Sequence, residues 1–546
     1  MLQTRILAAM TALVASVVAS SAVAATTFEQ DVDTAINRGL AYLDAQGAFT
    51  GYPNCTGGTY QKWVRGLPLL ALLEKRKSGN LNDPPQGYAG ASTDDKTRMR
   101  RAVSCILQDV KGNSGWQGDE SYVAGNWLMG LSLYARTGGL GKGVADIPDD
   151  PALEDLYAAI DKLTDQLVAG QCEETSPATY YQGMWSYSGC GDDSSTTQFA
   201  AAGLAGAKGY YLWKGDTGGR LPKINAALTL AGKHYGDFSR AGSDNGTCGI
   251  IEASERGHGY HYSGYNPSLQ QTSSGLWVQL LGGAGVNDAG VQAYMRWLRN
   301  HYRWQNLDSM GNSWASNSYW YYMWSSMKAL LAMKDSGTPA AGNLGPNDLG
   351  LLGPDVDPDP TDGLAGTCPV RQLHRDPAAT SRPASYGQGN YAAEAKSVYF
   401  DYATAILEYD CGDGNFSCNS APSSWYANPW DRNAWALLVL QRATGGACVD
   451  ENPKDGQCDG DQNAETSYEP CDVNGDTKVT MDDVMAMLPW ALARTSVSSS
   501  SSPSEEAANA VTFQGTSQAQ PWSTFAGDGE INVADFARCI FAAYGR

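Results

Sequence analysis

Gln198-Phe199-Ala200-Ala201-Ala202-Gly203-Leu204-Ala205-Gly206-Ala207 carries small or apolar side chains on nearly every side. A helix with no polar face has to be covered by protein all round, so this stretch predicts an inner helix of a larger helical assembly. Stretches of the same character recur at 122–134, 272–281, 319–333 and 433–441. The segments between them are amphipathic. Ile36, Leu40 and Leu43 lead to Gln46; Met99, Val103, Ile106 and Leu107 lead to Gln108; Leu156, Ile160, Leu163 and Leu167 lead to Gln171. Apolar positions three and four apart mark one face of a helix, and the three glutamines fall 62 and 63 residues apart. Helices ending near Tyr235 and Tyr302 continue the period. An outer amphipathic helix paired with an inner apolar one, repeated about six times, predicts an all-α chain closed into an α/α toroid whose inner-helix ends frame a central cavity. The alternative is an open solenoid, but helical repeats of that kind run at about 34 to 47 residues. The sixth pair, 392–407 with 433–441, follows an interruption at 336–366 that includes Gly353-Pro-Asp-Val-Asp-Pro-Asp-Pro-Thr-Asp-Gly363. Prolines at that density exclude a helix, so the interruption is an inserted acidic loop.

The 546 residues are 42% hydrophobic and 18% charged, with 38 Lys+Arg against 58 Asp+Glu and a net charge of −20. A nucleic-acid partner needs a basic face, so that class is excluded. The 29 tyrosines and 16 tryptophans point instead to aromatic-lined hollows. Residues 1–25 hold one charge, Arg5, then the apolar run from Ile6 to Val18 and Ala22-Val23-Ala24. This is the pattern of a cleaved signal peptide, which predicts a secreted, periplasmic or extracellular protein. No stretch reaches the roughly 20 apolar residues of a transmembrane anchor. The twelve cysteines all lie beyond the cleavage point and suit an oxidising compartment; Cys172 with Cys190 and Cys411 with Cys418 are the local pairs to expect. No Cys-x2-Cys spacing suggests a zinc site.

Three motifs carry a family likeness. Gln108 followed by Gly115-Trp116, Gln171 followed by Gly183-Met184-Trp185-Ser186-Tyr187, and Asp193-Ser-Ser-Thr-Thr-Gln198-Phe199 resemble the repeats of the terpenoid cyclase and protein prenyltransferase superfamily, squalene cyclases included. The likeness covers roughly 28–335 and, more weakly, 385–446. It implies the toroid and leaves the chemistry open, because a fold hosts many functions. The expected layout is a signal peptide at 1–25, the toroid at 26–446, a Cys-rich acidic linker at 447–471 and a separate module at 472–546.

That last module has its own signature. A twelve-residue calcium loop supplies oxygens from positions one, three, five, seven, nine and twelve, and here those are Asp472, Asn474, Asp476, the Lys478 carbonyl, Thr480 and Asp483. Aspartate rather than glutamate at position twelve makes the loop resemble the first repeat of a type I dockerin. Dockerins are EF-hand-like helical modules that fold on Ca2+ and dock onto cohesin domains, so the resemblance implies Ca2+ and a cohesin-like or cell-surface protein partner. Counting back from Asp535 gives a second loop with Asp528, Glu530 and Asn532, in which Thr524 and Ala526 replace two of the usual ligands. Ile531 stands at position eight there, as Val479 does in the first loop.

Chemistry in a toroid is expected in the loops entering the inner helices. The first cluster is Cys190-Gly-Asp192-Asp193-Ser-Ser-Thr-Thr-Gln198. It is similar to the Asp-x-Asp-Asp acid of squalene-hopene-type cyclases, with Cys190 where the first aspartate belongs; Asp193 also reads as a helix cap. Glu252 with Glu255-Arg256-Gly-His258-Gly-Tyr260-His261 is the second. His, Tyr, Arg and carboxylate together suit proton abstraction beside a uronate, as in a polysaccharide lyase, or acid catalysis in a glycoside hydrolase. The alternative is a loop of glycines and aromatics packing the rim. Trp185, Tyr187, Trp314, Tyr319, Trp320 and Tyr321 are candidates to stack on sugar rings or to belong to the core. The reading that results is a secreted calcium-binding protein whose toroid binds or processes a glycan, as a lyase or glycoside hydrolase if it is an enzyme. A non-catalytic extracellular scaffold is the alternative, and terpenoid cyclisation the third.

Overall fold

The computed structural model describes residues 25–442 except 77–84, 113–119, 174–180, 238–250, 253, 262–265, 306, 308–314, 352–370 and 426–427, and beyond them only 495–496 and 530–531. The described residues of the main body are helical. Five amphipathic helices are α1 (Thr27–Ala45), α4 (Thr93–Gly112), α6 (Leu156–Gly170), α8 (Arg220–Asp237) and α10 (Ala289–Asn300), and a sixth helix of the set, α12 (Val398–Tyr409), is buried at every residue but Glu408. Six apolar ones follow them in turn: α3 (Gly66–Leu73), α5 (Glu120–Arg136), α7 (Ser194–Lys214), α9 (Leu269–Leu281), α11 (Tyr319–Asp335) and α13 (Pro429–Leu440). A short α2 (Thr59–Trp63) precedes α3.

Local chemistry starts these helices where they start. Thr26 and Glu29 form a reciprocal capping box ahead of α1. Asp155, Asp193, Ser268, Ser397 and Asn428 each accept a hydrogen bond from the first turn of the helix that follows, which satisfies donors a helix start leaves open. The helix expected from 392 therefore begins later, behind the Ser397 cap. Every residue of α9 is buried, as a helix covered on all sides requires.

The apolar helices touch in a closed order: α3 against α5, α5 against α7, α7 against α9, α9 against α11, α11 against α13, and α13 back against α3. Among the other helices, α4, α6, α8 and α10 touch in series and α12 touches α1. Close approach inside depends on glycine. A Cβ on Gly125 of α5 would stand 2.1 Å from the Phe199 carbonyl oxygen of α7, and one on Gly203 would stand 2.7 Å from the Gly125 Cα. Between distant parts of the chain, Arg382 grips Asp31 of α1 through two hydrogen bonds of 2.8 and 2.7 Å, and Tyr391 donates to the same carboxylate.

Cys172–Cys190 and Cys411–Cys418 are bonded as the sequence suggests, and Cys55–Cys105 ties the segment after α1 to α4. Three disulfides suit an oxidising compartment. No helix among the described residues is long and apolar enough to cross a membrane. The described part of the insertion, 336–351, holds only the 3-10 turn Pro346–Asp348.

Of the expected calcium module, Asp472, Asn474, Asp476, Lys478, Thr480, Asp483, Asp528, Asn532 and Asp535 lie outside the described residues, as does the linker at 447–471. Glu530 lies in a two-residue strand, β2 (Glu530–Ile531), antiparallel to β1 (Thr495–Ser496). Ile531 is thus paired in register with Thr495, at the start of a stretch that composition reads as a serine-rich excursion.

Candidate functional site

The first turns of the apolar helices converge on a cavity of about 470 Å³. Tyr122, Gln271, Tyr321 and Asp431 each reach it from the third residue of α5, α9, α11 and α13, Ser195 from the second residue of α7, and Val64 from just ahead of α3. Trp435, one turn further along α13, adds to the wall, while Tyr60 and Trp63 of α2, Tyr187, Tyr260 and Trp425 of the loops, and the cap residues Ser318 and Asn428 complete it among the described residues. Tyr60 and Trp425 are 38% and 39% exposed at the rim although they are large aromatics. They are held in place: the rings of Tyr60 and Trp63 meet edge to face at 4.9 Å, and the Trp425 indole donates to Ser318 at 3.1 Å.

Asp431 is the one carboxyl among these lining residues, which include no lysine, arginine or histidine. It is 3% exposed. Burial pushes its pKa up to about 8, even though the Arg432 N–H, the Ser424 hydroxyl and the Arg432 charge favour the carboxylate. Burial disfavours the charged form of an acid, so at neutral pH Asp431 is a protonated donor in an aromatic wall.

Across the cavity, the Tyr260 hydroxyl donates to Asp193 and stands 3.5 Å from the Tyr187 hydroxyl. Burial, then the charge of Asp193, holds the Tyr260 phenol far above its usual pKa. Both Asp193 oxygens are engaged: one by Tyr260, the other by the Ser195 hydroxyl at 2.7 Å and the Thr196 N–H at 2.8 Å. Asp193 caps α7 and seats Tyr260 and is not among the lining residues, so the cyclase-type acid expected of it has no open face toward the cavity. Ser194 anchors the same loop, donating from its hydroxyl to Gln271 and from its N–H to the Tyr260 carbonyl. Asp192 meets the His261 imidazole through its carbonyl and, at 3.4 Å, its carboxylate. Burial opposes the imidazolium, but these contacts and the Asp193 charge outweigh it and raise the His261 pKa.

The second expected cluster is divided by the structure. Glu255 is buried, accepts from Asn300 and from the Ile251 N–H, and is pushed up chiefly by burial. Glu252 pairs with Arg296 and Arg299 of α10. His258 is buried against the Tyr294 hydroxyl at 3.2 Å and the Tyr235 ring, whereas Arg256 is exposed. Only Tyr260 of the group lines the cavity, so the convergence of Arg256, His258 and carboxylate that a lyase needs is absent among the described residues. Of the aromatics, Tyr187 and Tyr321 line the cavity. Trp185, Tyr319 and Trp320 are buried with their polar atoms on the carbonyls of Leu167, Trp304 and Pro422. Trp314 lies outside the described residues.

Asp431 is the residue that sequence reasoning missed. Its signal was present in Asn428-Pro429-Trp430-Asp431, a cap, a proline and an acid in the first turn of an apolar helix, with Asn428 at the cap position that Asp193 holds before α7. No cluster of three or more His, Cys, Asp or Glu among the described residues is arranged to hold a metal ion.

No protein-family model matches the chain, and no curated protein is significantly similar to it.

Proposed function

We propose that the closed order of apolar helices is an α/α toroid, and that the cavity at its mouth binds a glycan segment of a secreted protein's substrate, with Asp431 as the proton donor to a glycosidic oxygen. The observation that carries this is a buried carboxyl, its pKa raised by burial, set in a wall of eight aromatic side chains, two of them exposed at the rim. Aromatic faces stack on the apolar faces of sugars, and an acid poised near neutral pH suits general acid catalysis. Hydrolysis by the usual scheme takes a second carboxylate, and Asp431 is the one carboxyl among the lining residues; this supports, as a second reading, a cavity that binds without cleaving. Alkene protonation is disfavoured, because the burial that raises Asp431 makes it a weak acid.

The test is a screen of soluble polysaccharides for binding and for released reducing ends. Asp431→Asn is expected to lose turnover by a factor of about 100 or more while retaining binding. Binding without turnover in the native chain selects the second reading, and absence of binding to every polysaccharide defeats both.

We propose further that residues 472–546 form a dockerin-like module that folds on Ca2+ and docks to a cohesin-like partner. The support is the spacing of Asp472, Asn474, Asp476, Lys478, Thr480 and Asp483. Metal binding that organises a loop appears as folding free energy, so chelation is expected to lower the melting temperature of a fragment of residues 447–546, and Asp476→Ala to abolish the calcium response. A fragment that melts identically with calcium and with chelator overturns the proposal.

A further inference from the structure

The charge pattern of the cavity says more than that a sugar fits. Taking as given the reading in which the cavity binds a glycan without cleaving it, we infer that the cavity selects sugar units carrying a free ammonium group over N-acylated or acidic ones. Three observations lead there. First, the wall is mostly aromatic rings, with Tyr122, Tyr321 and Trp435 on the apolar helices and Trp63 and Trp425 toward the rim. Such faces attract cations through their quadrupole, most strongly where water is excluded. Second, the carboxyl of Asp431 has no cationic partner among the lining residues. An ammonium placed beside it favours the carboxylate, so the carboxyl proton leaves to solvent as the cation enters and a buried ion pair takes its place. An acidic sugar has the opposite fate, since a second carboxylate beside Asp431 finds no lysine, arginine or histidine on these walls to balance it.

The third observation is independent of the cavity. A chain of net charge −20 repels polyanions and draws polycations at long range. The whole molecule and the site therefore favour the same ligand, a polymer with repeated protonated amines.

Calorimetry on the full-length protein at pH 6 and 0.15 M salt, with a glucosamine hexamer, its fully N-acetylated counterpart and a hexuronate of equal length as probes, tests this. The free-amine hexamer is expected to bind at least about tenfold more tightly than the acetylated one, the equivalent of one good cation–π or charge contact, and the hexuronate not measurably. Asp431→Asn is expected to bring the affinities of the glucosamine hexamer and its N-acetylated counterpart to within about twofold of each other. Equal affinity for the amine and acetylated hexamers in the native chain overturns the inference and leaves the glycan reading standing. Discrimination that survives in Asp431→Asn assigns it to surface charge and also overturns the inference. Binding of none of the three defeats the glycan reading itself and the inference with it.

Discussion

At the scale of single residues, the chain places several ionisable groups where water does not reach them, and two of them pull stability in opposite directions with pH. His301 is 1% exposed, stacks on Trp297 with ring centres 4.3 Å apart, and neither ring nitrogen has a hydrogen-bond partner among the described residues. Burial lowers its pKa to about 4 from 6.5. A group that binds its proton less tightly in the folded than in the unfolded chain contributes stability that is complete above the unfolded pKa. It is lost as pH falls from 6.5 toward 4, and a shift of that size corresponds to about 3 kcal/mol. Asp431 behaves in reverse: its folded pKa of about 8 stands above the unfolded 3.8, so its contribution is complete in acid and declines as pH rises through 8. His301→Phe keeps the stack and removes the titration. It is expected to flatten the fall in melting temperature between pH 6.5 and pH 4, measured by thermal denaturation; an unchanged acid limb would assign that loss to other groups.

At the scale of elements, the amphipathic helices and the long apolar helices were legible because their patterns run for many residues, as at 156–171 and 198–207, where periodicity separates helix from strand. The inner helix α3 was not. Its eight residues, Gly66-Leu-Pro-Leu-Leu-Ala-Leu-Leu73, are apolar throughout and short enough to read as a buried strand, and Pro68 weakens a helical reading. It is a helix because Asn126 and Leu69 pack across Gly66 and Gly130 and bring α5 against it, a tertiary cause that no local pattern carries. The site divides along the same line. Placing chemistry at the starts of inner helices led to Asp193 and Tyr260, yet the sequence alone could not tell that Asp193 spends both oxygens on a cap and a phenol. Nor could it tell that Asp431, in the first turn of α13, would be left in the wall. Which acid is occupied depends on hydrogen-bond partners 67 residues apart in the case of Tyr260 and Asp193, and such pairs have no spacing rule. The motif from Glu255 to His261 misled for a related reason: neighbours in an extended loop point to different surroundings, so Glu255 and His258 pack against α10 while Tyr260 faces the cavity.

At the scale of the whole molecule, the question is whether the ends of the helical array depend on each other. In an open solenoid each repeat touches only its neighbours, so a fault in the last pair frays that end alone. In this chain α13 touches α1 and α3 as well as α11 and α12. Leu437 lies at that joint: it is fully buried, and a Cβ added to Gly39 of α1 would stand 2.8 Å from its Cδ2. Arg65, just ahead of α3, lies 6.0 Å over the Trp430 ring of α13, and Asp31 of α1 is held by Arg382 from the segment before α12. Truncating a buried leucine removes about 2 to 5 kcal/mol through lost burial and the cavity left behind, and a closed ring transmits that loss to both sides of the joint. Leu437→Ala is therefore expected to shift a single thermal transition downward and to speed amide hydrogen exchange in α1 and α3 as well as in α13. Faster exchange confined to α12 and α13, with α1 and α3 protected as before, would mean that the last pair is a terminal repeat laid against the array and not the element that closes it.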